Sequence, residues 1–288
     1  MLIVIFDVYF EYFTGANLLG FPEIRENSRL VSFFKDEPIV GSYIYSFYLL
    51  LIGFLLNKYF LKQKRVVFLL ITLLFLAIFL TGERSNSIKA FLGIILLIWF
   101  FKEIPIRVKL ISFSFVLLSL GMLILSSDYF KMRYSVQIKS AIGEKSIYFN
   151  LYKSGYKVFK NYPIFGVGNK NYRIEGCDNF EKEDKNDKYQ DYLCTTHPHQ
   201  IYFELLSEHG IVGTLIILLI FFRLIFSKIL IVLKNSNYIQ IGSMIFLVLT
   251  FLPILPSGSF FSDFAITIFG INLAIFYASN KKFNLFSG

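Results

Sequence analysis

The sequence predicts an all-α membrane protein, a polytopic helical bundle with one large loop domain outside the membrane. Of its 288 residues, 55% are hydrophobic, and they include 35 Phe and 18 Tyr. The apolar residues are gathered into runs that approach the roughly 20 residues needed to cross a bilayer. The Lys and Arg residues of the connections recur after every second run, as in chains that cross a membrane repeatedly.

Seven apolar runs predict spans. Several are at the short end for roughly 30 Å of hydrocarbon, so their helices are expected to extend by a few residues. The runs are Val40–Leu61, Val66–Thr81, Ile88–Phe101, Leu110–Ser126, Ile211–Ile225, Ile239–Leu252 and Phe264–Ala278. A further stretch, Leu2–Phe13, is too short to cross alone and is predicted to be the tail of another span; no signal-peptide cleavage site follows it.

Cationic clusters after the first, third, fifth and last runs mark one side as cytoplasmic. They are Lys58, Lys62, Lys64 and Arg65; Lys102, Arg107 and Lys109; Arg223, Lys228 and Lys234; and Lys281 and Lys282. The chain is therefore divided into N-terminal transmembrane helices (1–126), a loop domain with amphipathic helices on the opposite side (127–210) and C-terminal transmembrane helices (211–288). The net charge of +9 is assigned to this topology and to the loop, with no nucleic acid as partner.

The loop domain contains a predicted amphipathic helix, 150–161, with Lys153, Lys157 and Lys160 on one face. That face is either simply solvated or binds anionic lipid or a phosphorylated ligand. Pro163 ends the helix, and Gly166 and Gly168 form a turn. Cys177 and Cys194 match no compact zinc motif; in an oxidising compartment we expect a disulfide between them rather than free thiols.

Three arginines are candidates for binding an anion. Arg84 lies in the short turn "TGERSN" between two apolar runs, where an ionisable residue is costly and is a functional candidate; the alternatives are snorkelling or a pairing with Glu83. Arg133 and Arg173 are the arginines of the long loop. Each is either a surface charge or, with Arg84, part of a cationic pocket suited to phosphate.

Two histidines precede the fifth run, in "THPHQ". His199 is a candidate general base, and Pro198 separates it from His197 in an extended turn. The alternative for both histidines is a structural role at the start of the next segment. A metal bound by the pair is disfavoured because no carboxylate stands at a suitable spacing. No phosphate-binding loop or serine elbow is present, and no cofactor is expected.

These residues resemble the O-antigen ligase/polymerase family of bacterial membrane proteins. His199, Gln200, Gly210 and Gly213 match the family pattern of His, Asn/Ser/Gln, nine residues, Gly, two residues and Gly/Thr/Tyr. Other features similar to the family are Arg84 in its turn, the "P-x-x-G-x-G" turn at Pro163, Gly166 and Gly168, and the "FFKDEPIVGSY" stretch of Phe33–Tyr43. Family members usually have ten to twelve spans, so we expect several N-terminal helices to be missing here.

The resemblance implies a glycosyltransferase of the bacterial inner membrane whose large loop and active face are periplasmic. The donor would be a glycan on undecaprenyl diphosphate and the acceptor lipid A–core, as in an O-antigen ligase, or another glycan, as in a polymerase. His199 is expected to act as base, Arg84 with Arg133 or Arg173 to bind the diphosphate without a metal, and His197 to contact substrate; the family's loop arginine is slightly better matched by Arg133. The alternatives of another class are a transporter of lipid-linked glycans and an inactive remnant.

Overall fold

The structure is a computed structural model that describes residues 1–21, 29–35, 37–141, 146–178, 194–253 and 255–279. Lys281 and Lys282, which the topology prediction uses, lie outside this described part. Helices and no strands occur within it. The α-helices are α1 (Leu2–Thr14), α2 (Val40–Lys58), α3 (Lys64–Leu80), α4 (Arg84–Phe100), α5 (Ile106–Ser126), α6 (Asp128–Lys131), α7 (Gln137–Ala141), α8 (Ile147–Asn161), α9 (Tyr172–Asp178), α10 (Ile201–Phe226), α11 (Ile229–Asn235), α12 (Tyr238–Thr250) and α13 (Asp263–Ala278).

The helices follow the apolar runs of the sequence because an unbroken apolar stretch in lipid satisfies its backbone only as a helix. Three helical stretches are long and apolar enough to cross a membrane: Val40–Lys58, Ile106–Ser126 and Ile201–Asn235. Tyr238–Thr250 and Asp263–Ala278 are shorter apolar helices. The protein is therefore helical and of membrane type, whereas the number of spans predicted from the sequence stays a prediction.

The described residues group into two compact units. The first comprises those of Met1–Gln137, Leu230–Thr250 and Asn272–Gly288, and the second those of Ile138–Ile229 and Phe251–Ile271. The sequence-based boundaries after residues 126 and 210 also stay a prediction.

In the first unit, α2 is the central helix, and glycines let its neighbours approach its backbone. A Cβ on Gly53 of α2 would lie 2.3 Å from the carbonyl oxygen of Tyr238, and one on Gly242 of α12 would lie 2.5 Å from that of Leu49. Helices in lipid gain little from burying apolar surface against each other, so close van der Waals packing at small residues stabilises them. In contrast, α5 has no buried residues.

In the second unit, α8 packs on the first turns of α10. The predicted amphipathic helix begins three residues earlier than expected, at Ile147, because the Ser146 hydroxyl accepts a hydrogen bond from the Tyr148 N–H at 3.2 Å and caps it. Gly155 of α8 faces Pro198 and Phe203 so closely that a Cβ would lie 2.8 Å from Pro198 Cβ. This contact holds α8 against the segment that carries the two histidines.

Candidate functional site

An arginine cluster forms around the turn between α3 and α4, in the first unit. Gly82 makes this turn with a positive φ of 70°, a conformation that glycine adopts without strain. A Cβ at this position would also lie 2.7 Å from the Tyr129 hydroxyl and 2.9 Å from Arg133 Nε. Glycine is therefore required here both for the turn and for the approach of Arg133.

Arg133 is the buried member of the cluster, with 7% of its surface exposed. It lies in a short π-helical turn, Met132–Val136. Its Nη2 donates to the Gly82 carbonyl at 2.8 Å and its Nη1 to Gln137 Oε1 at 2.6 Å. Its Nε is buried and has no hydrogen-bond partner within the described part of the chain. Burial lowers the pKa of the guanidinium, and the positive charges of Arg29 and Arg84 add to this effect. A buried cation that still has an unused donor is suited to an anionic ligand.

Arg84 joins the same cluster through the backbone of Gln137, to whose carbonyl its Nη1 donates at 2.7 Å. This hydrogen bond to Gln137, and not the alternative pairing with Glu83, positions the guanidinium of Arg84. The carboxylate of Glu83 instead accepts the N–H groups of Gly41 at 2.6 Å and Ser42 at 3.1 Å, at the start of α2. Gln137 thus holds both arginines, one by its side chain and one by its carbonyl.

Arg29 is a third cation near this turn, and the sequence analysis did not single it out. The next residue, Leu30, donates its N–H to the Thr81 carbonyl at 3.3 Å, and Glu11 of α1 accepts the N–H groups of Val31 and Ser32. Burial lowers the pKa of Arg133 and the charge of Arg29 adds to that effect, whereas burial raises the pKa of Glu83 and the charge of Arg29 partly offsets it. The signal that could have found it is its position four residues before the family-like stretch Phe33–Tyr43.

The histidine segment lies in the second unit, directly before α10. The rings of His197 and His199 are 4.0 Å apart between centroids, and His199 has a positive φ of 54°. Its carbonyl accepts the N–H of Ser257 at 2.9 Å. A non-glycine residue in this region of φ is uncommon and costs free energy, so it persists only where the surrounding contacts hold it. The backbone thus holds His199 in one orientation just before the start of α10.

Gln200, not a histidine, caps α10. Its Oε1 accepts the N–H groups of Tyr202 at 2.8 Å and Phe203 at 3.0 Å, and its Nε2 donates to the Pro253 carbonyl at 2.8 Å. The oxygen of this amide therefore caps α10, and its nitrogen bonds the residues that follow α12. The capping role that the sequence left open for the histidines belongs to their neighbour.

Glu204, one turn into α10, is a second residue that the sequence analysis did not single out. Its carboxylate accepts a hydrogen bond from the Ser259 hydroxyl and one from the Phe260 N–H at 2.9 Å. Together with Gln200 and the His199 carbonyl, it holds Pro253, Ser257 and residues 259–260 against the histidine segment. The available signal was the pair of glutamates, Glu204 and Glu208, spaced one turn apart in the amphipathic stretch before the apolar part of α10.

His197 is half-buried, as is His199, and its Nδ1 lies 3.0 Å from the Thr196 hydroxyl. Burial, reinforced by the neighbouring His199 and opposed by a hydrogen bond with the Ser257 backbone, lowers the pKa of His197 to about 4. At neutral pH the ring is uncharged. This disfavours an electrostatic role for His197 toward a diphosphate, although its neutral ring can still contact a sugar.

The depressed pKa of His197 predicts acid lability. Above pH 6.5 the ring is neutral in both the folded and the unfolded state; between pH 6.5 and about 4 only the unfolded state takes up the proton. Folding stability should therefore fall over that window, by about 3 kcal/mol at most, since one pKa unit corresponds to about 1.4 kcal/mol. Melting temperatures in detergent at pH 7.5 and 5 measure the loss. His197→Gln should show a smaller drop than the parent; equal drops would contradict this origin.

The glycine motif of α10 marks a break in the helix. Gly210 has φ 61° and ψ −171° within α10, and the turn that follows α8 is inserted there. Ile211 donates its N–H to the Pro163 carbonyl at 2.8 Å and Val212 to that of Ile164 at 3.2 Å, while Val167 and Gly168 donate to the carbonyls of Ser207 and Glu208. The "P-x-x-G-x-G" turn and the break thus satisfy each other's backbone groups.

Arg173 is exposed on α9, in the second unit. The arginine cluster described above, with Arg84 and Arg133, lies within the first unit, and a shared pocket with Arg173 stays a prediction. Close by in sequence, the structure joins Cys177 and Cys194 in a disulfide, with their Cα atoms 4.4 Å apart. This bond closes the loop that leads from α9 to the histidine segment.

A family model described as O-antigen ligase matches residues 66–218, just over half of the chain. The chain belongs to the O-antigen ligase family. The matched region of this O-antigen ligase family member contains Arg84, Arg133, both histidines and Gly210, whereas Arg29 and Phe33–Tyr43 precede it. Among proteins of curated function, no match to the chain was found. Membership makes the protein an enzyme of the ligase/polymerase type that acts on lipid-linked glycans.

Proposed function

We propose that the protein transfers a glycan from undecaprenyl diphosphate to lipid A–core, as an O-antigen ligase, at the periplasmic face of the bacterial inner membrane. The observation that carries the proposal is the pair of arginines, Arg84 and Arg133, held side by side through Gln137, with a buried and unused Nε on Arg133. The proposed topology has seven spans and part of an eighth, with residues 127–210 as the periplasmic loop domain.

The arginines are proposed to stabilise the leaving diphosphate. In glycosyl transfer from a lipid diphosphate, the bond between the anomeric carbon and the phosphate oxygen breaks and its electron pair stays with the diphosphate. Guanidinium groups neutralise that charge as it develops, and they carry a permanent charge in a planar fork of donors. They can therefore supply without a metal ion what a metal supplies in many other glycosyltransferases.

His199 is proposed to be the general base. The acceptor hydroxyl gives its proton to the imidazole, its oxygen forms the new bond to the anomeric carbon from the face opposite the diphosphate, and the configuration inverts. A neutral imidazole has a ring nitrogen that can accept this proton. The fixed backbone of His199, tied to Ser257, suits a group that must meet its substrate in one geometry.

Replacement of His199 by alanine tests the proposal. Transfer of a radiolabelled glycan by the purified protein in liposomes should fall by about 10²–10⁴-fold, the usual contribution of a general base, while donor binding is retained. His209→Gln is the matched control because His209 lies on α10, the helix that His199 precedes, beside Phe261 at 5.0 Å between ring centroids, and has no proposed chemical role. Unchanged transfer by His199→Ala would remove this residue from the mechanism.

Ligase and polymerase activities share the donor and differ in the acceptor. The arginine cluster serves either activity because the diphosphate leaves in both. Parallel assays with lipid A–core and with an undecaprenyl-linked repeat unit as acceptor therefore decide between them. Transfer to lipid A–core supports the ligase, and transfer to the repeat unit alone supports the polymerase.

A further inference from the structure

The turn that joins α8 to the glycine turn exposes large apolar side chains. Phe165 is 74% exposed, Ile164 56% and Tyr162 41%. They follow one another closely in "NYPIF", residues 161–165, and Lys160 at the end of α8 is exposed as well. Single exposed apolar residues are ordinary in proteins. Three in one short turn of a membrane protein indicate that lipid or another protein surface covers the turn.

The position of this turn along α10 is fixed by backbone hydrogen bonds. The carbonyls of Pro163 and Ile164 accept the N–H groups of Ile211 and Val212, the first residues beyond the Gly210 break. These residues begin the apolar part of α10, and they are themselves 42% and 39% exposed. The stretch Ile201–Asn235 is long and apolar enough to cross a membrane. The turn therefore lies level with the start of the membrane-crossing part of the helix.

The chemistry of the turn fits a lipid surface better than it fits water. Tyrosine and lysine concentrate at membrane interfaces, where the phenol ring and the ammonium group reach the headgroups. Phenylalanine and isoleucine insert at the boundary between headgroups and acyl chains, as in proteins that lie on a bilayer. Lys160 at the edge of the turn is placed to meet lipid phosphates.

We propose that the Tyr162–Phe165 turn is an interfacial membrane anchor. Ile164 and Phe165 insert at the headgroup–acyl boundary of the leaflet that α10 enters just beyond Gly210. The anchor also fixes the height of the histidine segment. Residues Ile201 to His209 form one straight helical stretch between His199 and the break, and nine residues at 1.5 Å each span about 14 Å. His199 lies two non-helical residues before this stretch, so it is held at most roughly 20 Å from the level of the anchor.

Quenching of tryptophan fluorescence by brominated lipids tests the anchor in the full chain. The sequence has a single tryptophan, Trp99, so Trp99→Phe gives a background without tryptophan. In that background, Phe165→Trp and, separately, Ile164→Trp are reconstituted in liposomes that contain phosphatidylcholine brominated at shallow (6,7) or deep (11,12) acyl positions. Leu219→Trp is the reference because Leu219 is 65% exposed on α10, two turns beyond the break.

The anchor predicts stronger quenching of both turn reporters by the shallow lipid, and the opposite order for Leu219→Trp. Aqueous iodide should quench the turn reporters weakly. Strong quenching by iodide with none by either lipid would place the turn in water. Absence of quenching by any agent would mean that protein, such as a second copy of this chain, covers it. Deep quenching like that of Leu219→Trp would place it within the acyl region. Each of these three outcomes overturns the proposal.

Discussion

Replacement of Gly210 by alanine is expected to destabilise the second unit more than any other single change of a glycine to alanine there. The φ and ψ values of 61° and −171° lie in a region that only glycine adopts readily, and a Cβ would lie 2.3 Å from the Ile164 carbonyl oxygen and 2.4 Å from its carbon. Backbone strain and overpacking each cost about 1–3 kcal/mol. The sum, roughly 2–6 kcal/mol, would be a large part of the stability of a typical domain.

The loss should be visible as a lower melting temperature in detergent and as faster cleavage by trypsin. Gly270→Ala is the matched control because Gly270 lies in the same unit, on α13, and a Cβ there would have no heavy atom within 4 Å. In a helix that exchange removes the conformational freedom of glycine and tends to stabilise. Equal melting temperatures for the two variants would show that the inserted turn does not depend on the break.

The fixed spacing of the family motif has a physical reason in this structure. Gln200 caps the helix, the nine residues after it form the stretch Ile201–His209, and Gly210 ends that stretch where the turn of Pro163 enters. The motif thus sets how far His199 stands from the break. The sequence pattern located these residues, but it could not reveal that Gln200 and Gly210 serve the backbone, since spacing alone carries no hydrogen-bond partner.

The helices were the most predictable part of the fold. The ends of α2 to α5, α12 and α13 lie within a few residues of the apolar runs because burial in lipid and helix formation follow the same pattern of residues. The beginning of α10 differs most: Ile211 was predicted and Ile201 is observed. The amphipathic stretch before Gly210 continues into the apolar helix with only a local break, and a glycine in sequence predicts a boundary as readily as a kink.

The arginine cluster was predictable only in part. Arg84 was identified from its position in a short turn between two apolar runs, and Arg133 from its place before the amphipathic helix. Both arginines donate hydrogen bonds to Gln137, however, and no sequence motif marks Gln137. Arg29 approaches the same turn because the next residue, Leu30, donates its backbone N–H to the carbonyl of Thr81, 51 residues further along the chain. Such contacts between residues far apart in the chain arise from tertiary packing. The periodicity of a single sequence predicts helices but does not show which distant residues will meet.

Replacement of Arg133 by lysine is expected to reduce glycan transfer by at least about 10²-fold, similar to the loss of one preorganised donor at a developing negative charge. Lysine keeps a charge but cannot donate to the Gly82 carbonyl and Gln137 Oε1 at once, as the guanidinium does, and it lacks the unused Nε. Initial rates with labelled donor in liposomes measure the loss. Inorganic pyrophosphate, as a competitor for the anion site, should inhibit the variant less than the parent protein.

The pyrophosphate measurement separates a loss of anion binding from a general loss of structure, because a merely destabilised protein would keep its inhibition constant in the fraction that remains folded. Arg173→Ala is the comparison variant: Arg173 is exposed on α9 in the second unit, and if Arg133 is the arginine that serves the diphosphate, removal of Arg173 should leave both the rate and the inhibition nearly unchanged. If Arg173→Ala instead abolished transfer and Arg133→Lys did not, the loop arginine that serves the diphosphate would be Arg173. The burial of Arg133 favours a loss of transfer in Arg133→Lys rather than in Arg173→Ala. Burial of a cation to 7% exposure costs desolvation free energy, and that cost is met only where surrounding groups or a ligand compensate it.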